Sequence, residues 1–123
     1  MALTEISTSL QTMAGATATT TLAAIKGKIY SIEIRTSASH TFHIYDLKQD
    51  NSTAYVDIYG SSVTPITVAS DSIVYPRVQA CGTTGSGISG VYDQFYVNGE
   101  IKIDVASGSA GHTFNVIVAY EPA

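Results

Sequence analysis

The chain has 123 residues, one domain's worth, long enough to bury roughly two thirds of its unfolded surface without a metal or disulfide staple. Charged residues make up 13% of it, and the net charge of −4 sets ten acids against six dispersed bases, Lys26, Lys28, Arg35, Lys48, Arg77 and Lys102; that balance speaks against a phosphate-tracking surface and against nucleic acid as a partner. No apolar run reaches the ~20 residues of a membrane span, and with Cys81 as the one cysteine no intrachain disulfide can form, which fits folding in a reducing cytosol.

Residues 1–21 read as an N-terminal arm or a short helix, and residues 22–123 as a single β-sandwich domain. Leu3, Ile6, Leu10 and Met13 recur at helical intervals. The β-branched residues around them weaken a helix, and the other reading is an extended arm laid on a neighbouring subunit. The stretch has no positive n-region and no continuous apolar core, so it reads as mature protein rather than a signal peptide.

From residue 22 the period is two. In KIYSIEIRT, Tyr30, Ile32 and Ile34 share one face and Ser31, Glu33 and Arg35 the other, as in a half-buried strand. TFHIYDL follows, with Phe42 and Ile44 opposed to His43 and Tyr45. Asp50, Asn51 and Ser52 then mark a turn. AYVDIY sets Val56 and Ile58 against Tyr55, Asp57 and Tyr59. Pro65 and Pro76 each remove a ladder donor from an extended run and mark edges. ACGTTGSGISG, residues 80–90, is a long glycine-rich loop. VYDQFYV, Asn98-Gly99 and EIKIDVA read as two strands joined by a type I′ hairpin turn. The last run, TFNVIVAY, places Phe114, Val116, Val118 and Tyr120 on one face.

Short alternating runs with turns between them, and no helix inside the domain, predict an all-β fold: an antiparallel β-sandwich, expected as a jelly-roll, with an N-terminal arm. Two hexamers are nearly identical, SASHTF at residues 37–42 and SAGHTF at 109–114. Each stands between long strands, where small residues permit a bend and Thr-Phe starts the next strand. The repeat therefore reads as architecture rather than as a catalytic signature.

The chemistry-bearing residues are few. His40, His43 and His112 are the only histidines. His40 and His112 converge with a carboxylate on one reading; on the other they are exposed or half-exposed turn residues whose rings cap strand ends. In a strand His40 and His43 point to opposite faces. No metal-ligand spacing is present, and no calcium loop. GSGISG lacks the strand–turn–helix setting of a nucleophile elbow, and the strand after it cannot serve as the helix that a phosphate cradle needs. Cys81 reads as a buried structural thiol. No catalytic, cofactor or metal residue is assigned, and the chain is not read as an enzyme. Tyr45, Tyr55, Tyr59 and Tyr96 fall on faces read as outward, and with Leu3, Ile6 and Leu10 of the arm they form the expected interface set. Tyrosine suits the centre of a protein interface and also a sugar-stacking face.

Two stretches, GKIYSIEIRTSASHTFHIYDL and EIKIDVASGSAGHTFNVIVAYE, resemble the opening strands and the closing hairpin of small virion proteins of tailed bacteriophages. The likeness covers residues 26–59 and 91–121 and lies in strand and turn chemistry rather than in a signature motif. It implies a jelly-roll or related sandwich that decorates the capsid exterior, is made in the host cytoplasm, and bridges major capsid protein subunits as a homotrimer or another homo-oligomer. It supplies no catalytic residue. Rival expectations are a tail, baseplate or fibre component, a carbohydrate-binding module using the tyrosine face, and the jelly-roll shell protein of a small virus. The last would be expected to carry a basic arm, and this arm has no Lys or Arg.

Overall fold

The computed structural model describes residues 3–47, 55–74 and 95–123, with Phe95 described in its backbone alone. The expected turn at residues 50–52, Pro76, Cys81 and the loop 80–90 lie outside the described residues. Nine strands are described: β1 (Thr4–Ser7), β2 (Gln11–Thr12), β3 (Ala18–Thr36), β4 (His40–Asp46), β5 (Val56–Tyr59), β6 (Ile66–Val68), β7 (Ser72–Val74), β8 (Phe95–Ala106) and β9 (Thr113–Pro122). Every pairing is antiparallel. The order is β1-β9-β3-β8-β4-β5, with β2 on β9, β6 on β4 and β7 on β3.

β3 is the spine. Residues 18–29 pair with β8, residues 27–36 with β9, and residues 32–34 with β7. Register shifts at Leu22 and Tyr30 each add a residue to the strand. A bulge of this kind reverses the inward parity. Leu22, Ile25, Ile29, Ile32 and Ile34 can therefore all be buried although their spacing is not uniformly even. This corrects the expected faces: Ile29 turns inward and Tyr30, at the bulge, is only half-buried. Gly27 pairs with both Val97 and Pro122, where β3 passes from one partner to the other. A Cβ there would overlap the Glu121 carbonyl oxygen, so only glycine lets the strands approach this closely.

The two hexamers are the bends of two strand–turn–strand arches, β3–β4 and β8–β9. Within each arch the strands do not pair with one another. Instead β3 pairs with β8 and β9, and β4 pairs with β8. Each arch thus draws its ladder partners from the other, and the sheet must fold over. Phe42 on β4 and Phe114 on β9 are three strands apart in the order, ~14 Å in a flat sheet. Their ring centroids are 6.1 Å apart in an edge-to-face contact. The result is an all-β, antiparallel, sandwich-like fold; the pairings do not themselves establish the finer jelly-roll order. One continuous core fills it, from Ile29, Ile32 and Ile34 through Phe42, Ile44, Ile101 and Ile103 to Phe114, Val116 and Val118. Each such side chain, fully buried, contributes about 1.5–3 kcal/mol.

Three expectations are revised. The described N-terminal residues, from Leu3 on, form no helix: β1 and β2 pair with β9 of the same chain, and β3 already begins at Ala18, inside the segment read as an arm. The four residues at helical spacing share no face, Leu3 and Leu10 being exposed, Ile6 half-buried and Met13 buried, and the ladder is interrupted at residues 8–10, where Ser9 has φ 60°. There Thr8 keeps the connection, donating its N–H to Val116 O at 3.0 Å and accepting from Val116 N–H at its hydroxyl at 3.1 Å. Asn98-Gly99 makes no hairpin. Both residues lie inside β8, opposite Lys26 and Ile25, and neither has positive φ. The twelve-residue strand β8 matches the long N-terminal half of β3, and pairing along its length overrides the local turn preference. The supposed closing hairpin is the β8–β9 arch, whose strands do not pair.

Candidate functional site

β4 carries two histidine sites, one on each face. Alternation sends Phe42 and Ile44 to the core and His43 and Tyr45 outward. Opposite His43 on β8 stands Asp104, and a bulge between Ile44 and Tyr45 brings Asp57 of β5 alongside. Asp57 Oδ1 lies 2.7 Å from His43 Nε2, and Asp104 Oδ2 lies 3.8 Å from Nδ1, which is buried without a hydrogen-bond partner. The Tyr45 ring stacks on the imidazole at 4.5 Å, and Tyr55 packs obliquely against both rings, at 4.9 Å from Tyr45 and 5.7 Å from His43. His43 is consequently only 3% exposed although it sits on the outer face. Tyr45 donates a long hydrogen bond, 3.4 Å, to Asp104 Oδ1. Burial first, then the Asp104 carboxylate and the neighbouring Tyr55, push the Tyr45 phenol above its ordinary range. It therefore stays a neutral donor at neutral pH. The arrangement offers aromatic faces and partly exposed carboxylates, a binding chemistry. Among the described residues no group of three or more His, Cys, Asp or Glu side chains is placed to hold a metal ion.

The inner site lies where the two hexamers meet. Ser37 N–H donates to Thr113 O at 3.0 Å, and Thr113 N–H donates to Ser37 Oγ at 2.9 Å. His40, with no exposed surface, places Nε2 2.9 Å from His112 Nδ1. Its own Nδ1 is 2.7 Å from Thr36 Oγ1, and that hydroxyl donates to Ala38 O at 2.6 Å. With its one proton committed to Ala38, Thr36 can only accept from His40. His40 Nδ1 must then carry the proton, and in the neutral ring Nε2 accepts from His112 Nδ1–H. Burial, and secondarily the neighbouring His112, hold the His40 imidazole below its ordinary range. Two charged rings at a centroid distance of 5.1 Å would repel by about 3 kcal/mol at an effective dielectric of ~20.

This corrects the reading of His40 as an exposed or half-exposed turn residue, since it is buried, whereas His112 is half-buried; His43, on the outward face expected for it, is buried as well. His40 and His112 do converge, and a threonine hydroxyl stands where a carboxylate was expected. The residues expected at an interface fall in separate places. Leu3 and Leu10 are exposed beside β1 and β2, Leu10 by 68%, while Ile6 is half-buried against the core. Tyr45 and Tyr55 join the His43 cluster. Tyr96 is 53% exposed on β8. Tyr59, expected outward, is 8% exposed and belongs to the core beside Ile58, because the register shift at Ile58 sets Tyr59 opposite the inward Ile44. Asp57, Asp104 and Thr36 were not singled out by the sequence. The advance signals were the odd His40–His43 spacing, which separates two faces, and the alternation that put Asp57 on the face of Tyr55; neither says what each face meets.

Compared with family models, with curated proteins and with solved structures, the chain matches none.

Proposed function

We propose that the chain is a non-catalytic structural protein of a virus particle. In this reading it is a capsid decoration (cement) protein of the tailed-phage kind that bridges major capsid protein subunits on the capsid exterior, as a homotrimer or another closed homo-oligomer. The observation that carries the reading is a pair of exposed apolar side chains beside two clefts on the β1-β9-β3-β7 side of an all-β body, with Glu33, Arg35 and Asp71 among the cleft linings. The two clefts share Asp71 and are flanked there by Leu10, 68% exposed, and Ile73, 61% exposed. An outward row crosses all four strands through Ile73, Glu33, Ile117 and Ser7. The charged groups lining the clefts already have partners, Arg35 with Glu33 at 2.8 Å and Asp71 with the Thr36 N–H at 3.0 Å, so covering the clefts does not strand these ions. Contacts repeated over a lattice add through avidity, so each one need not be strong. The resemblance of residues 26–59 and 91–121 to phage virion proteins supports the same reading.

Sedimentation equilibrium across a concentration series tests it, followed by binding to capsid shells that lack the protein. A closed oligomer that binds shells is expected. A monomer at all concentrations that ignores shells overturns the reading, and binding to tails instead moves the protein to a tail, baseplate or fibre role.

A second reading has its own observation. The Tyr45 and Tyr55 rings beside the Asp57 and Asp104 carboxylates, whose side chains are 30% and 42% exposed, pair apolar faces with hydrogen-bond acceptors. A polyhydroxylated ligand needs that combination. Titration with oligosaccharides, wild type against Tyr55→Ala, tests it: saturable binding that the variant loses supports a carbohydrate-binding module, and no binding removes it.

A further inference from the structure

We propose that the His40–His112 pair is an acid-sensitive latch that fastens the N-terminal segment to the interlocked bends and lets it go when both rings are protonated. The inference is independent of the functional readings above. It rests on how the N-terminal segment is attached. Besides the short ladders of β1 and β2, three backbone hydrogen bonds tie residues 13–16 to the β8–β9 turn: Met13 N–H to His112 O at 2.8 Å, Gly111 N–H to Met13 O at 2.9 Å, and Gly108 N–H to Ala16 O at 3.0 Å. Met13 is buried and its thioether lies against Gly108, where a Cβ would stand 2.6 Å from the sulfur and 3.3 Å from His40 Cδ2. The plug, the turn and the His40 ring thus share one small volume. Whatever displaces His112 displaces the acceptor for Met13.

The donor chain has one direction and one weak point. His112 Nδ1–H donates to His40 Nε2, His40 Nδ1–H to Thr36, and Thr36 to Ala38. A proton placed on His112 Nε2 leaves every bond in the chain intact. A proton placed on His40 Nε2 removes the chain's only imidazole acceptor, and with both rings charged two N–H donors face each other. The surroundings offer little to hold such a pair. β6 sets Val68 opposite His40, the Phe42 ring stands edge-on to it at 6.3 Å, and the N-terminal segment brings Met13. Of the charged groups on the neighbouring elements, Asp71 is occupied by Thr36 N–H at 3.0 Å and Arg35 pairs with Glu33 at 2.8 Å. Asp104, on β8, stands with His43 on the other face.

Residue-resolved amide hydrogen exchange of the full chain between pH 7.5 and 4.5 tests the latch. The probes are Met13, Gly111 and Gly108, and the reference is Leu47, whose N–H donates to Glu100 O far from the pair. After correction for intrinsic exchange, protection at the three probes is expected to fall at least about tenfold relative to Leu47, the scale of a local opening rather than global unfolding. His112→Asn keeps a donor near the Nδ1 position, cannot become charged, and can turn its oxygen toward a protonated His40. The relative loss is expected to shrink to less than about threefold in that variant. The nitrogen spectrum of the wild-type imidazoles at pH 7.5 is expected to show His40 as the Nδ1–H tautomer. Equal loss at the probes and at Leu47, or the same loss in wild type and His112→Asn, overturns the proposal. If the variant does not fold, the wild-type comparison of probes and reference decides alone.

Discussion

His40 and His43 stand three residues apart on one strand, and they live in opposite chemistries. His40 faces inward and is hydrogen-bonded to a hydroxyl and to another imidazole, so its neutral form completes the network. His43 faces outward between two carboxylates and under two phenol rings. The odd spacing explains the division, since a strand turns successive side chains to opposite faces. The two ends of the division have different work. The inner residue belongs to the joint that makes the fold, and the outer one to a surface that can meet a ligand or a partner. Substitutions inside are expected to register as lost stability, and substitutions outside as lost binding.

The largest effect is expected at the joint itself. Phe42→Ala or Phe114→Ala removes a fully buried ring from the contact between the arches and should lower unfolding free energy by about 3–5 kcal/mol, read from urea denaturation. Next comes His40→Ala, which leaves His112 Nδ1 and the Thr36 hydroxyl without their partner and should cost about 1–3 kcal/mol.

The same variant sharpens a pH test. The folded protein holds the His40 imidazole below its ordinary value, so below about pH 6.5 the unfolded chain binds this proton more readily than the folded one. Stability from this group is therefore complete above about pH 6.5 and declines as pH falls through the window down to the folded value. Thermal midpoints should drop accordingly in wild type, and this part of the slope should be missing in His40→Ala.

Outside, Asp57→Ala should cost about 1 kcal/mol, because water can reach the freed end of a partly exposed pair. Tyr55→Ala, at the exposed rim, should change stability by no more than about 0.5 kcal/mol, while reducing any affinity that the tyrosine face has. A Tyr55→Ala loss as large as that of Phe42→Ala, in the same urea experiment, would break the division between the two faces.

The sequence was legible where one ladder rule held without interruption. β4 and β9 alternate cleanly, and Phe42, Ile44, Phe114, Val116 and Val118 could be assigned to the core from parity alone. β3 was legible as a strand but not in its faces, since the bulges at Leu22 and Tyr30 reverse parity without any residue that announces them. Asn98-Gly99 misled because a strong local turn preference was outweighed by a long partner strand, and the partner's length is a tertiary fact. The repeat announced two equivalent bends. That these bends touch, through Ser37 with Thr113, His40 with His112 and Phe42 with Phe114, follows only from the strand order. The outer cluster was half legible: Tyr45 and Tyr55 were expected on one face, whereas Asp57 and Asp104 reach His43 through pairings with two different strands.

The claim on which the rest depends is that the two hexamers pack against each other across the core. A double-mutant cycle between Phe42 and Phe114 tests it most directly, with Phe42→Leu, Phe114→Leu and the double variant unfolded in urea. Leucine keeps most of the apolar volume, so all the variants are expected to fold. If the rings meet edge to face as described, the double variant should lose less than the sum of the single losses, by about 0.5–1.5 kcal/mol. Strict additivity of the two losses would contradict the contact and, with it, the interlocked arches.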